Sequence, residues 1–181
     1  MSEQDRRRWD ERYAQQGPAQ PAAVAPPGFL RPHIDRIPTV GSALDVACGQ
    51  GLGSVWLASR GLDVWGVDIS EVAIAAARDL ARSHGFDRRC RFDIADLDAG
   101  LPAGPQVDVL LCNNFRDRRL DRALIARVAP SGVLAICTLS EVDAEPGPYR
   151  AARGELLAAF GELDVLAAGE AGGHAWLVAR A

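Results

Sequence analysis

Three glycines at alternate positions, directly after an acidic apolar segment, form the part of this chain best suited to hold a nucleotide. Residues 43–53 read ALDVACGQGLG, a short predicted buried strand followed by Gly49, Gly51 and Gly53. Glycine lacks a Cβ, so the backbone of such a turn can approach a ligand closely. Apolar residues at helical spacing follow, and the first free amides of a helix there would face the ligand. Strand, glycine turn and helix together indicate a nucleotide site.

Two further carboxylates follow predicted strands. Asp68 ends the second strand, predicted over residues 62–68, and a carboxylate there can accept hydrogen bonds from both hydroxyls of a ribose. A helix cap or a turn carboxylate is the alternative role for Asp68. Asp96 follows the third strand, and a surface-loop aspartate is the alternative there because Asp93 and Asp98 are close in sequence.

The glycine spacing separates two families of nucleotide-binding protein. The dinucleotide fingerprint requires a glycine at the sixth position, which is Ser54 when counted from Gly49. The stretch instead resembles the first motif of the class I S-adenosylmethionine-dependent methyltransferases, in which an acid near the end of the first strand precedes G-x-G-x-G. The resemblance makes Asp45 that acid and implies S-adenosyl-L-methionine as the cofactor. An NAD-dependent oxidoreductase is the alternative, since Gly49, Gly51 and Asp68 would serve it too.

The N-terminal segment carries a second resemblance. WDERYA, at residues 9–14, resembles a signature of tellurite-resistance-like and thiopurine-like methyltransferases, where the segment covers the cofactor and its arginine meets the methionine carboxylate. This resemblance implies that Trp9 and Arg12 bind the cofactor. A helix that only pins Trp9 and Tyr13 on the domain is an equally good interpretation. Residues 17–32 contain five prolines, which predict a linker or lid loop.

Strands and helices alternate along the rest of the chain, which ends in two apolar runs separated by a glycine-rich bend. This order predicts an α/β fold, and the resemblance implies a Rossmann-like seven-stranded methyltransferase sheet, mostly parallel, with an antiparallel C-terminal hairpin and helices on both faces. We therefore expect an N-terminal helix and proline-rich lid or linker at 1–40, and the S-adenosylmethionine-dependent methyltransferase domain at 41–181. The helix after the fourth strand is predicted to stop at 130–132, and the fifth strand to cover 133–139.

The resemblance also assigns residues at the ends of the third and fourth strands. In this superfamily a third-strand acid faces the adenine amino group, a position that Asp96 occupies between Ala95 and Leu97. The fourth strand ends beside the transferring methyl group, where Asn113 would contact the aminoacyl end of the cofactor. The NNFR sequence at 113–116 departs from the NPPY pattern of nucleic-acid exocyclic-amine methyltransferases, which disfavours that substrate class. The residues implied in cofactor binding are Trp9, Arg12, Asp45, Cys48, Gly49, Gly51, Asp68, Ile69, Ala95, Asp96, Leu97 and Asn113, and those implied in substrate binding are Asn114, Arg116 and Tyr149.

Composition restricts the partners. The formal net charge of −4 and the pI near 5.4 oppose a large basic footprint, so no bulk nucleic-acid binding is expected. All 20 basic residues are arginine, which excludes lysine Schiff-base chemistry. The four cysteines form no CxxC pair and are predicted to be free thiols, so no metal site is expected. No apolar run is long enough to span a membrane, and we expect a cytoplasmic protein.

These observations predict a methyltransferase whose acceptor is a small molecule, with no role for a membrane. The negative net charge of the chain favours a small acceptor over nucleic acid. Transfer from the cofactor needs no covalent intermediate, and a general base is required only for a protonated acceptor. The sequence nominates no catalytic residue, because each of its three histidines is better explained as a surface or packing residue. A non-catalytic S-adenosylmethionine-binding protein is the main alternative, and either a monomer or a homodimer is compatible with the sequence.

Overall fold

A seven-stranded sheet with helices on both faces forms the centre of the computed structural model, which describes residues 3–147 and 149–181. The strands are β1 (Ser42–Val46), β2 (Asp63–Asp68), β3 (Cys90–Ile94), β4 (Val107–Asn113), β5 (Val128–Leu139), β6 (Asp164–Ala171) and β7 (His174–Arg180). The α-helices are α1 (Glu3–Gln16), α2 (Leu52–Ser59), α3 (Glu71–Ser83), α4 (Asp121–Arg127) and α5 (Glu155–Phe160).

The strand order β3-β2-β1-β4-β5-β7-β6 confirms the predicted methyltransferase sheet. Strands β1 to β5 are parallel, whereas β7 runs antiparallel to both β5 and β6. The order reverses between β1 and β4, so the connections leave these two strands in opposite directions. In open α/β sheets, such a switch point leaves a crevice at the carboxyl ends of the strands, and ligands bind there.

The central strands bury apolar side chains on both faces of the sheet, because helices cover both faces. In β1 and β4, Leu44 and Leu110 belong to one buried cluster, whereas their neighbours Ala43 and Val109 belong to the cluster on the opposite face. This alternation is the two-residue period of a strand, applied to a sheet buried on both sides. The resulting core fixes the strand ends on which the site is built.

The start of β5 differs from the prediction. The helix α4 ends at Arg127, and β5 begins at Val128 rather than after the turn at 130–132. The prediction failed because this segment contains an irregularity in the ladder: the register with β4 shifts between Val107 and Val109, and Ser131 has a φ of 66°. A proline can sit at such a bulge, where the ladder does not need its amide.

The proline-rich connector consists of short 3₁₀ turns. They cover Pro21–Ala23 and Gly28–Arg36, and the second is kinked at His33. Leu30 is buried against the helix face that carries Leu57, so part of the connector packs on the domain. Every helix in the described part of the chain is too short or too polar to cross a bilayer.

Candidate functional site

A cavity of about 550 Å³ lies at the carboxyl ends of β1, β2 and β4 and is covered by α1. Its walls combine the glycine turn, the two strand-end acids and the segments that follow β4 and β5. The residues that line it are Trp9, Arg12, Tyr13, Gln16, Asp45, Ala47, Cys48, Gly49, Gln50, Leu52, Gly53, Asp68, Ile69, Leu97, Leu111, Asn113, Asn114, Phe115, Leu139 and His174.

A larger and more open groove of about 810 Å³ lies between α5 and residues 118–126. Two of its arginines are engaged within the chain: Arg118 pairs with Glu155, and Arg119 pairs with Asp98 and Asp117. Because the groove lies away from the strand ends at which open α/β sheets bind ligands, we place the functional site in the smaller cavity.

The glycine turn leaves no room for side chains. Gly51 has a φ of 81°, and a Cβ on it would lie 2.8 Å from the Cβ of Ala77 in α3. Gly49 has a φ of 54°, and a Cβ there would meet the hydroxyl of Tyr13 at 2.8 Å. The turn therefore requires glycine both for its left-handed backbone and for its close packing between α1 and α3.

Asp68 joins the glycine turn to α3 by hydrogen bonds. Its Oδ2 accepts from the amide of Gly49 at 2.9 Å, and its Oδ1 accepts from the amide of Ser70 at 2.9 Å. Burial raises the pKa of this carboxyl, and the amides of Ser70, Gly49 and Ile69 oppose that rise. A carboxylate has about four lone-pair sites, so each oxygen keeps room for one more donor. Asp68 is thus a turn carboxylate that also faces the cavity.

Asp45 is a second buried carboxylate in the same cavity. Its Oδ2 accepts a hydrogen bond of 2.6 Å from the hydroxyl of Ser54, the residue that breaks the dinucleotide pattern. Burial raises the pKa of Asp45 to about 7, and the charge of Asp68 acts in the same direction. Two buried carboxylates favour a ligand with a cationic group, because such a group would offset their desolvation.

The helix α1 contributes an aromatic pair to the roof of the cavity. Trp9 and Tyr13 stack with ring centroids 5.9 Å apart, and the Arg12 guanidinium lies 5.1 Å from the Trp9 ring. Burial raises the pKa of Tyr13, which keeps its hydroxyl protonated beside the glycine turn. The geometry is compatible with a helix that covers the cofactor and with one that only pins Trp9 and Tyr13 on the domain. The aromatic pair packs on the domain, while Arg12 faces the cavity.

Not every residue proposed from the sequence faces the cavity. Gly51 lies beneath the turn, against α3, and Ala95 packs against the core. The Asp96 carboxylate accepts from the Asp98 amide at 2.9 Å and caps the short 3₁₀ turn Leu97–Ala99. The proposed residues that do line the cavity are Trp9, Arg12, Asp45, Cys48, Gly49, Asp68, Ile69, Leu97, Asn113 and Asn114.

Two residues proposed for substrate binding lie elsewhere. The Arg116 side chain is only 5% exposed, and it pairs with Asp121 at 2.5 Å and Glu155 at 2.8 Å. It is therefore not available to a substrate, because two acids already neutralise it. Tyr149 is 62% exposed, and the Arg8 guanidinium of α1 lies 5.6 Å from its ring.

Several lining residues were not proposed from the sequence, and His174 is the most informative. It starts β7, directly opposite Leu139 at the end of β5. Because β7 is antiparallel, its first residue reaches the same edge of the sheet as the last residues of the parallel strands. The His174 Nδ1 lies 3.2 Å from the Gly172 carbonyl, which favours a proton on Nδ1. The only sequence signal for the position of His174 is the predicted antiparallel C-terminal hairpin, whose second strand it begins.

Comparisons with known proteins agree with this geometry. The family described as "Methyltransferase domain" matches residues 43–130. The chain is 36% identical over 104 residues to the ribosomal RNA small subunit methyltransferase C of Alcanivorax borkumensis, covering 52% of this chain and 31% of that protein. It is 33% identical over 113 residues to the ubiquinone biosynthesis O-methyltransferase of Psychrobacter cryohalolentis, covering 59% and 42%.

Among solved structures, TehB from Haemophilus influenzae superposes with a TM-score of 0.76 at 19% identity, covering 95% of this chain and 66% of that one. At this identity, the likeness concerns the fold. The chain spans less than half the length of the curated relatives named above.

Proposed function

Because this chain belongs to the class I S-adenosylmethionine-dependent methyltransferases, we propose that it transfers a methyl group from S-adenosylmethionine to a small-molecule acceptor. The observation that carries the proposal is the cavity itself, in which the glycine turn and the buried Asp45 and Asp68 meet at the switch point of the sheet. That is the position at which open α/β sheets bind nucleotides.

The cofactor half of the cavity, formed by residues 45–53 and 68–70, fits the cofactor that this family uses. The spare acceptor sites of Asp68 suit the two ribose hydroxyls, and Asp45 suits the cationic end of the molecule. The absence of a Cβ at Gly49 lets the Tyr13 hydroxyl of α1 lie against the turn, so the turn and α1 enclose the cavity together. When bound, the cofactor supplies a methyl group activated by a sulfonium.

The acceptor half of the cavity consists of residues 113–115, Leu139 and His174. These side chains are amide, aromatic, aliphatic and imidazole groups, while Arg116 is occupied by its ion pairs. They support an acceptor that is small, largely uncharged and partly apolar. The acidic balance of the chain supports the same interpretation, although one similar protein is a ribosomal RNA methyltransferase and another an O-methyltransferase.

Asn114, Leu139 and His174 in this half are exposed to solvent, so an acceptor could reach them, which favours an enzyme over a non-catalytic binder of the cofactor. The chain's own contribution is to hold donor and acceptor in line and to exclude water beneath α1. An acceptor that arrives protonated would need a proton acceptor, and the Nε2 of His174 is the group that we propose for this role.

Isothermal titration with S-adenosylhomocysteine and, in parallel, with NAD tests the proposal. We expect binding of the first and none of the second. Binding of NAD alone would overturn it and redirect the search to hydride donors. A screen of phenols, thiols and amines, followed by release of S-adenosylhomocysteine, then tests methyl transfer, and the absence of turnover with every class would favour a non-catalytic binder.

A further inference from the structure

The helix α1 covers the cavity without being held by the core. None of its side chains is fully buried, and its sequence, EQDRRRWDERYAQQ, offers Trp9 and Tyr13 as the only large aromatic groups. Yet Trp9, Arg12, Tyr13 and Gln16 all line the cavity. A helix with so little buried apolar surface depends on polar contacts to stay in one place.

Asp10 makes the polar contact that ties this helix to the sheet layer. Its Oδ1 accepts a hydrogen bond of 2.5 Å from the hydroxyl of Ser70 and lies 3.4 Å from the amide of Val72. Ser70 is the N-cap of α3, and its hydroxyl oxygen also accepts from the amide of Ala73 at 3.1 Å. The negative charge of Asp10 therefore sits at the positive end of a 13-residue helix, where an anion is stabilised.

The same short segment is tied to the nucleotide site. The amide of Ser70 donates to Asp68, and the other oxygen of Asp68 accepts from the amide of Gly49. One hydrogen-bonded chain thus leads from α1 through residues 68–70 to the glycine turn. A second contact closes the far end of α1, where Gln50 Nε2 donates to the Gly17 carbonyl at 2.7 Å.

We propose that Asp10 is a positioning residue: through its hydrogen bond to Ser70 it holds α1 over the cavity, so that Trp9 and Arg12 close on the bound ligand. Asp10 itself is not among the residues that line the cavity. The identity of the ligand rests on the proposed function, whereas the attachment of α1 does not.

Amide hydrogen exchange on the ligand-free protein tests the attachment. A hydrogen bond to a charged group stabilises the structure more than one between neutral groups. Asp10→Ala should therefore speed exchange of the α1 amides about tenfold. Asp10→Asn, which keeps an acceptor oxygen without the charge, should restore part of the protection. Glu11→Ala, an exposed acid next along the same helix, is the matched control and should change little. Amides of β1 and β4 report folding in the same samples, and unchanged exchange of α1 in Asp10→Ala would overturn the proposal.

A double-mutant cycle tests whether Asp10 holds α1 through its hydrogen bond with Ser70. Ser70→Ala should loosen α1 as much as Asp10→Ala does, and the double variant should loosen it no further. Because Ser70 also caps α3, its loss will separately speed exchange of the first amides of α3. Additive effects on α1 would show that Asp10 acts through another partner and would overturn the proposal.

The dissociation rate of S-adenosylhomocysteine tests closure over the ligand. We expect dissociation about tenfold faster from Asp10→Ala than from the wild type, with partial rescue by Asp10→Asn. Faster α1 exchange without faster dissociation would overturn the closing role while leaving the proposed function intact. Failure of the wild type to bind S-adenosylhomocysteine would instead contradict the proposed function, and the exchange experiment would still decide the attachment of α1.

Discussion

The two halves of the cavity are built in different ways. The cofactor half comes from two short stretches, 45–53 and 68–70, whose carboxylates are buried and tied to backbone amides or to a neighbouring hydroxyl. The acceptor half collects single residues from the ends of β4, β5 and β7, and Asn114, Leu139 and His174 are exposed there. The first is set by local sequence, the second by the pairing of distant strands.

The pKa values of Asp45 and Glu155 differ in the same way between the two halves. In the cofactor half, burial raises the pKa of Asp45 to about 7. Beside the acceptor half, burial alone would raise the pKa of Glu155, but hydrogen bonds from Arg118, the Ala152 amide and Arg116 lower it to about 2. In the folded protein Asp45 keeps its proton up to about pH 7, and a cationic ligand would favour its charged form. The charge of Glu155 is instead neutralised by arginines within the chain and serves the fold.

The largest effect should come from the glycine turn. Gly51→Ala should lower the free energy of unfolding by about 3 kcal/mol, because a Cβ would add left-handed strain to a close contact with Ala77. Gly85→Ala is the matched control, since Gly85 has a similar φ of 73° and nothing within 4 Å of the added Cβ. It should cost about 1 kcal/mol. Equal losses in urea denaturation would show that the close packing of the turn contributes nothing.

The next effect concerns affinity. Asp68→Ala should weaken S-adenosylhomocysteine binding by about 1–3 kcal/mol, since ribose hydroxyls and the amides of Gly49 and Ser70 would lose their acceptor. Asp63→Ala, at the exposed start of the same strand, should leave the affinity unchanged. Calorimetric titration compares the two variants, and unchanged affinity in Asp68→Ala would remove this residue from the site.

Stability should depend on pH with opposite slopes for Asp45 and Glu155. Because the pKa of Asp45 is raised from 3.8 to about 7, the folded state binds more protons than the unfolded state between these values, and stability falls as pH rises through this window. Asp45→Asn, which keeps an acceptor for Ser54, should abolish this fall. Relative to wild type, it should be more stable at pH 8 than at pH 4, by about 1–3 kcal/mol.

Glu155→Gln should behave in the opposite way. A pKa lowered from 4.5 to about 2 contributes stability that is fully present above pH 4.5 and is lost as pH falls toward 2. The variant should therefore be destabilised at pH 6, by about 1 kcal/mol because Arg118 is well exposed, and the deficit should shrink below pH 4.5. Denaturation at each pH measures both variants, and slopes of the same sign would contradict the division.

The fold was predictable because its signals are local. Apolar runs of strand length, separated by helical spacing and closed by a glycine-rich bend, correspond to the seven strands observed. The beginning of β5 was not predictable in the same way, since the irregularity at Ser131 depends on how β4 and β5 pair. Prolines normally mark the end of an element, and here one lies inside a strand.

The candidate site was predictable to the extent that it follows strand ends. Asp45 and Asp68 were proposed because they end predicted strands, and both line the cavity. Arg116 looked available because one of its two acidic partners, Glu155, lies far along the chain, and no local pattern shows that ion pair. His174 was set aside because an isolated histidine carries no signal until the antiparallel pairing of β7 places it opposite Leu139.

The smallest effect should be that of His174→Ala on cofactor affinity. His174 belongs to the acceptor half, and within the described part of the chain its imidazole makes one hydrogen-bond contact, with the Gly172 carbonyl. Its loss should therefore change S-adenosylhomocysteine affinity by less than about twofold. The same variant should slow methyl transfer to acceptors that must lose a proton, and it should spare those that are already deprotonated at the assay pH. A tenfold loss of cofactor affinity would mean that the ligand extends over β7. The two halves would then share one binding surface, and the exposed strand ends could not vary without cost to the cofactor site.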